Sequence, residues 1–187
     1  MSIVYQRLDR PVLLSNFRGN NKIQVQLWNL TRDWLFRLSP HVFNGWRIFL
    51  LRCFGARIAS TATIRPTADI FYPWNVTVGE HSYIGDYANI YSLDEIQIGD
   101  HVSVSMGVTL CAGTHNASDV NFPLQIAPIV IESESWIGAE AFVSPGRTVR
   151  RGGVLGARSV LIRGDIGEGE VWVGYPARFL RHRHPKV

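Results

Sequence analysis

An aliphatic side chain recurs at every sixth residue along most of this chain, and few folds accept that period. An α-helix repeats its apolar positions every ~3.6 residues, and hairpin strands alternate and are joined by turn sequences, so neither fits. The positions group in threes, because the register slips by two residues before Val78 and Ile98 and by a long insertion before Ile131. Three six-residue units predict one coil, so the chain predicts about five coils stacked as a prism. The fifteen positions are Ile58, Ile64, Ile70, Val78, Ile84, Ile90, Ile98, Val104, Leu110, Ile131, Ile137, Val143, Val149, Leu155 and Leu161.

The residue four places after each aliphatic predicts the shape of the corners. In the first two units of each coil it is Gly, Ala, Ser or Val, which suits a tight corner. In the third unit it is larger or polar, and the insertions, including an extended loop at 112–128, fall after it. We therefore expect two tight corners and one that tolerates insertions. Glycines that follow five of the aliphatics are expected to supply turns where other residues would be strained, namely Gly79, Gly85, Gly99, Gly138 and Gly156.

Residues 1–57 differ from the rest in charge and periodicity. They carry nine Lys or Arg against two acids, whereas 58–187 carry ten against thirteen. Five apolar residues follow helical spacing, and this pattern is interrupted at Pro40 and at Asn44-Gly45. Two interpretations stay open, a helical cap packed on the main domain and a membrane-surface anchor. The five residues are Ile23, Leu27, Leu30, Trp34 and Leu38.

The composition limits the cellular compartment and the partners that we expect for the protein. The two cysteines are too few for a disulfide framework, and neither lies in a zinc-ligand pattern. We find no apolar run long enough to span a membrane and no signal peptide, so we expect a cytoplasmic protein; an anchor would place it at the inner face of the cytoplasmic membrane. The basic residues follow helical faces and are not part of a motif that recognises nucleic acid, which argues against nucleic acid as a partner.

The repeat and its motifs resemble a known family. The pattern from Ile58 to Asp165 is similar to the left-handed parallel β-helix of hexapeptide-repeat acyltransferases. The stretches "GVTLCAGTHN", "WIGAEAFVSPG", "GVLGARSV" and "VWVGYPARFL" are similar to sugar O-acetyltransferases of the maltose, galactoside and nodulation group, and most of all to colanic-acid biosynthesis acetyltransferases. The expected fold is mainly β. Its parts are an N-terminal helical segment (1–57), a β-helix (58–168), and a C-terminal strand with a basic helix or tail (169–187).

The resemblance implies a reaction and a set of residues. It implies acetyl-CoA as acyl donor, direct transfer to a sugar hydroxyl in exopolysaccharide or cell-surface glycan synthesis, and a homotrimer. His115, in the inserted loop, would be the general base, a task suited to a group that ionises near neutral pH. The backbone N–H of Ala139 would bind the thioester oxygen. Trp136 and Ala157 would flank the pantetheine, and the donor phosphates would meet Arg163, Arg178 and Arg181.

The acceptor side departs from the family. The group commonly has Asn-Phe-Asn where this chain has Asn89-Ile90-Tyr91, so a phenol replaces the second amide. Asn89 and Tyr91 remain the predicted acceptor-binding residues. Asp119, in the His115 loop, is a third candidate that would hold an acceptor hydroxyl.

Two other functions remain open from the sequence. The first is a zinc enzyme of the γ-carbonic-anhydrase type, which needs three histidines. His81 and His101 are expected to stack ~4.8 Å apart on one face, but the next coil has Glu134 and the third ligand would have to be His115. The second is a non-catalytic β-helix adaptor at a membrane surface. The motifs of the donor site argue against it.

Overall fold

A computed structural model describes residues 4–9 and 21–184 of the chain. Parts of the two terminal segments, 1–57 and 169–187, therefore lie outside the described residues. In the described part, helix α1 (Lys22–Thr31) continues into a π-helical turn (Arg32–Phe36), and helix α2 (Asn44–Cys53) leads into the first strand. The side chain of Asn21 accepts a hydrogen bond from the Gln24 N–H and so fixes where α1 begins.

Short strands form three parallel sheets, which are the faces of a triangular prism. The first sheet contains β1 (Arg57–Ile58), β4 (Val76–Val78), β7 (Ile96–Ile98), β12 (Ile129–Ile131) and β15 (Thr148–Val149). The second contains β2 (Thr63–Ile64), β5 (Tyr83–Ile84), β8 (Ser103–Val104), β13 (Trp136–Ile137), β16 (Val154–Leu155) and β18 (Glu170–Gly174). The third contains β3 (Asp69–Ile70), β6 (Asn89–Tyr91), β9 (Thr109–Cys111), β14 (Phe142–Val143) and β17 (Val160–Leu161). The described residues thus complete the five predicted coils, and β18 begins a sixth.

The predicted repeat is the core of the prism. Each of the fifteen aliphatic positions is at most 3% exposed, and the small residues of the two tight corners are buried beside them. One coil cannot bury its own aliphatic residues, so the stacking of neighbours builds the continuous core.

The predicted reason for the repeated glycines is wrong. None of the five has a positive φ, whereas His81, His101 and Glu134 do. A Cβ on Gly138 would lie 2.6 Å from the backbone N of Ala157, and one on Gly85 would meet the next coil at 2.7 Å. These glycines therefore allow close approach of successive coils.

The helices close the lower end of the prism. Each coil donates backbone N–H groups to carbonyl groups of the coil above. The carbonyl groups of the first coil therefore have no strand beneath them that could donate hydrogen bonds to them. Side chains from the helical segment donate to these carbonyl groups instead. The hydrogen bonds run from Trp28 Nε1 to Ile70 O, from Asn44 Nδ2 to Ala62 O, from Arg47 Nε to Ile64 O, and from Arg52 Nε to Ile58 O.

The five apolar residues at helical spacing do not form the buried side of the helices. Val25, Trp28 and Phe36 are buried against the prism instead. We call the exposed set Ile23, Leu27, Leu30, Trp34 and Leu38 the apolar stripe; its members are all more than half exposed.

The C-terminal segment is a hairpin. Strand β18 pairs in parallel with β16 and antiparallel with β19 (Ala177–His182). The second element is thus a strand where the sequence predicted a helix or tail. Arg183 then donates from Nη1 to the carbonyl oxygens of Glu134 and Gly152, which ties the end of the described chain to the prism.

Candidate active site

His115 stands on a hairpin that leaves the prism at its third corner. Strand β10 (Gly113–His115) pairs antiparallel with β11 (Leu124–Ile126), and His115 lies opposite Leu124. Leu124 is buried with Leu93 of the third corner one coil below, which fixes the hairpin to the prism. We call the corner that follows β3, β6, β9, β14 and β17 the base edge. The predicted loop at 112–128 contains this hairpin.

The surroundings of His115 select one tautomer. Its Nδ1 lies 2.9 Å from the carbonyl oxygen of Phe122, and a carbonyl oxygen only accepts hydrogen bonds. The proton therefore resides on Nδ1 and the lone pair on Nε2. The imidazole also stacks on the Phe122 ring, with centroids 4.3 Å apart and planes 5° from parallel. An exposed histidine is thus held in one orientation with an unprotonated nitrogen, as a general base requires.

No motif or spacing in the sequence pointed to Phe122. Its backbone has a φ of 48°, which is uncommon for a bulky residue and places its carbonyl beside His115. Non-glycine residues in this region often lie at functional sites. Asp119 stabilises the turn that leads to Phe122. Its Oδ1 accepts hydrogen bonds from the N–H and the Nδ2 of Asn121 at 2.8 and 3.1 Å. Asp119 therefore shapes the loop that holds His115.

Two of the three predicted acceptor-binding residues, Asn89 and Tyr91, lie on the sheet that ends at the base edge, whereas Asp119 lies in the His115 loop. Tyr91 pairs with Cys111, from which the His115 hairpin departs, and its ring packs edge-on against Phe71 at 5.0 Å. The Oδ1 of Asn89 is buried without a protein hydrogen-bond partner among the described residues. A buried acceptor without a partner is unusual, and a ligand hydroxyl would satisfy it.

Three of the predicted donor-binding residues gather at a different corner. We call the corner that follows β2, β5, β8, β13 and β16 the donor edge. Trp136 lies on β13, about half exposed, and its Nε1 donates to Ser105 Oγ at 2.9 Å. Ala139 and Ala157 follow β13 and β16 at equivalent positions of adjacent coils. Within the described ranges, no protein acceptor takes the Ala139 N–H.

An ion pair flanks these alanines. Arg158 Nε donates to Glu140 Oε2 at 2.7 Å, and this hydrogen bond together with the nearby positive charge holds the pKa of Glu140 below its ordinary value. The opposite charges of Arg158 and Glu140 neutralise each other at the donor edge. Arg158 is therefore not a free cation for a phosphate.

The three predicted phosphate-binding arginines do not gather at one place. Arg178 is exposed opposite Val173, which lies above Gly156 at the donor edge. Arg181 lies further along β19, where its Nη1 donates to the carbonyl of His182. Arg163 follows β17 and is exposed at the base edge. Arg178 is thus the one of the three that lies beside the donor edge of the same chain.

His115 and the donor residues are separated within one chain. The base edge and the donor edge are different corners of the prism, with the whole third sheet between them. The N–H of Ala139 and the Nε2 of His115 therefore do not face a common space within one chain.

The two histidines considered as zinc ligands, His81 and His101, stack as predicted. His81 and His101 lie at the first corner, with ring centroids 5.0 Å apart and planes 22° from parallel. Glu134 follows them in the next coil, but its Oε1 accepts from Arg151 at 2.7 Å, and hydrogen bonding by Arg151 lowers the pKa of this carboxyl. His115 stands at another corner. Among the described residues, no group of three His, Cys, Asp or Glu side chains is placed to hold a metal ion.

Coils of six-residue units, with a histidine hairpin at one corner and, at another, a backbone N–H that no protein group of the described residues accepts, define an acyltransferase of the hexapeptide-repeat class. No protein-family model matches the chain. WcaF of Escherichia coli strain K12, named as an acetyltransferase of colanic acid biosynthesis, is 42% identical over 89% of this chain and 91% of its own length. This chain therefore belongs to the hexapeptide-repeat sugar O-acetyltransferases, and it is an acetyltransferase.

Solved structures agree with the fold. A hexapeptide-repeat acetyltransferase of Vibrio cholerae O1 biovar eltor, solved with acetyl coenzyme A, covers 89% of this chain and 86% of its own at a TM-score of 0.74 and 24% identity. A galactoside acetyltransferase in complex with coenzyme A covers 90% of this chain and 83% of its own at a TM-score of 0.77 and 25% identity. The coils thus form the expected left-handed parallel β-helix. The described residues contain no helix long and apolar enough to cross a membrane.

Proposed function

We propose that this protein transfers the acetyl group of acetyl-CoA to a saccharide hydroxyl during exopolysaccharide or cell-surface glycan synthesis, with His115 as general base. The observation that carries the proposal is the hydrogen bond from His115 Nδ1 to Phe122 O. It leaves Nε2 ready to accept a proton. Family membership supports the reaction class, and the two solved neighbours bind acetyl-CoA or CoA.

The proton and the acetyl group move in a balanced sequence. His115 Nε2 accepts the hydroxyl proton as the acceptor oxygen attacks the thioester carbonyl carbon. The Ala139 N–H donates to the oxygen that becomes negative. When the carbon–sulfur bond breaks, His115 returns the proton to the leaving thiolate. The products are the acetyl ester and CoA, and no covalent enzyme intermediate forms.

The third sheet would hold the acceptor. Asn89 Oδ1 needs a hydrogen-bond donor, which a sugar hydroxyl supplies. The ring of Tyr91 adjoins Phe71 and would pack against the apolar face of a sugar ring. Trp136, Ala157 and Arg178 would bind the donor, with Arg178 pairing to a phosphate.

The site is completed by a neighbouring chain, so the enzyme is proposed to be a homotrimer. The base edge of one chain would face the donor edge of the next, and a closed ring uses this contact once per subunit. His115→Ala and Arg178→Ala chains can test this when they are unfolded and refolded together. One contact in about four then unites an intact base edge with an intact donor edge, so we expect roughly a quarter of wild-type activity. A mixture no more active than its two parents would contradict a shared site.

A single-site variant tests the base. His115→Ala should lower turnover by about 10²–10⁴-fold while leaving the Kd for acetyl-CoA nearly unchanged, because the base contacts the acceptor proton. Transfer would be measured as CoA release with a panel of soluble glycosides, and the Kd by calorimetry. The control is His101→Ala, an exposed histidine at another corner, which should retain wild-type turnover. Equal losses of turnover and donor affinity in His115→Ala would refute the assignment.

The proposed setting is the cytoplasm, at the inner face of the membrane, where lipid-linked saccharides would be met. The positive charge of residues 1–57 supports this setting. The alternative is an adaptor without catalysis. A thermal shift with acetyl-CoA separates the two, because a ligand at about 100 times its Kd stabilises the folded protein by about 2.7 kcal/mol. An adaptor would show no shift.

A further inference from the structure

The apolar stripe is an exposed surface of unusual size. Leu30 is 61% exposed and Trp34 is 66% exposed. The surface continues onto α2, because Trp34 and Leu38 line one shallow depression with Phe43 and Trp46. Trp46 joins the two elements by donating from Nε1 to Leu35 O at 3.1 Å. Such a contiguous set of large apolar side chains is rare on a protein that has no partner there.

The fold does not require the stripe. Trp28, Phe36, Arg47 and the other capping residues close the prism from the opposite side of the helical segment. The same segment thus has one face that completes the core and one face that stays mostly exposed in the described chain. The second face needs another explanation.

We propose that the apolar stripe, with Phe43, Trp46 and Phe49, docks on the surface of an anionic lipid bilayer. Tryptophan and phenylalanine beside leucine are typical of helices that lie in the headgroup region. Trp46 and Phe49 stack with centroids 5.7 Å apart and present both rings to the outside.

Charge favours a bilayer over a neutral protein surface. Residues 21–57, which contain the two helices, carry a net charge of +5 (six minus one), and residues 58–187 carry −3 (ten minus thirteen). Lys22 lies at the start of the stripe, against Ile23 and Leu27. An anionic surface would therefore attract this end of the molecule and repel the prism.

Oligomerisation would strengthen the contact. This step rests on the proposed homotrimer. A cyclic trimer points the same end of each chain in the same direction, so the three stripes would meet one bilayer together. Three weak contacts on one particle bind far more tightly than one.

Flotation tests the proposal with the full-length protein. Vesicles of phosphatidylglycerol and phosphatidylcholine in equal parts are compared with phosphatidylcholine alone, at low and high salt. We expect the wild type to float with the anionic vesicles at low salt, and the double variant Leu30→Gln/Trp34→Gln to lose about tenfold in bound fraction. The matched control is Leu180→Gln, which changes a comparably exposed residue at the other end of the prism and should float like the wild type.

Two further measurements keep the outcomes apart. Calorimetry with acetyl-CoA should give the same Kd for the wild type and the double variant, since the stripe is at the helical end of the prism. Failure of the wild type to bind acetyl-CoA would refute the proposed function and leave docking unaffected. An intact protein that stays at the bottom of the gradient at low salt would overturn docking. So would a double variant that changes oligomeric state in sedimentation without vesicles, because the stripe would then be a contact between copies.

Discussion

Arg47→Met should be among the most destabilising single substitutions at the helical end of the protein. Arg47 is 1% exposed, and its guanidinium donates to Ile64 O, Ser39 Oγ, Pro40 O and His41 O at 2.8–3.0 Å. Burial, together with the nearby Arg65, lowers the pKa of this guanidinium below its ordinary value. Every donated bond goes to a neutral oxygen, so the charge is stabilised by hydrogen bonds alone.

The magnitude follows from the acceptors that lose their donor. Pro40 O also accepts from the Phe43 N–H, and Ser39 Oγ can turn to another partner, so two carbonyl groups bear most of the loss. A buried acceptor left unsatisfied costs about 1–3 kcal/mol, and the methionine recovers part of this by apolar packing, which gives a net loss of about 3 kcal/mol. For a chain of this length that corresponds to a fall in Tm of roughly 6–12 °C.

Differential scanning calorimetry at matched protein concentration measures the effect. The control is Arg37→Met, which removes an exposed ion pair to Asp69 and should cost less than about 1 kcal/mol. A Tm for Arg47→Met within about 2 °C of the Arg37→Met value would show that water replaces the lost donors, and the capping role would be refuted.

Three other predictions follow from the structure. Arg178→Ala should weaken acetyl-CoA binding by about 10–100-fold, the equivalent of losing a hydrogen bond between charged groups, and calorimetry that finds an unchanged Kd would remove Arg178 from the donor site. Gly138→Ala should destabilise by about 1–3 kcal/mol, because its Cβ meets backbone at 2.6 Å, whereas Gly45→Ala has open space in α2 and should be neutral or stabilising in the same thermal scan. Hydrogen bonds from Thr67 and then Arg65 hold the pKa of Asp86 below its ordinary value. The stabilisation of the folded protein by these hydrogen bonds is therefore present above about pH 4 and is lost as the pH falls through the lowered pKa. An Asp86→Asn variant that shows the wild-type acid dependence of Tm would contradict this.

The sequence predicted the features that depend on spacing. A six-residue period leaves few ways to bury the aliphatic side chains, so the coils, the tight corners and the place of the His115 hairpin followed from it. The stacking of His81 on His101 followed from the same count, because one coil separates them.

Features that depend on contacts between distant parts were not predictable in the same way. The exposed side of α1 could not be identified from its periodicity, because Trp28 and Val25 compete with the stripe for the buried side. The role of Phe122 depends on a backbone carbonyl, which has no signature in a sequence. The separation of His115 from Ala139 and Arg178 became visible only when the corners were assigned to strands.

The closed lower end has a consequence for growth of the solenoid. A stack of identical coils ends in the same row of hydrogen-bonding groups that joins its interior, and such a row invites strand addition by a second copy. Here Trp28, Asn44 and the two capping arginines occupy that row with side chains. At the upper end β19 runs antiparallel, so it offers a different pattern of donors and acceptors. The two ends do not match, and copies of this chain are therefore protected from joining end to end into fibres.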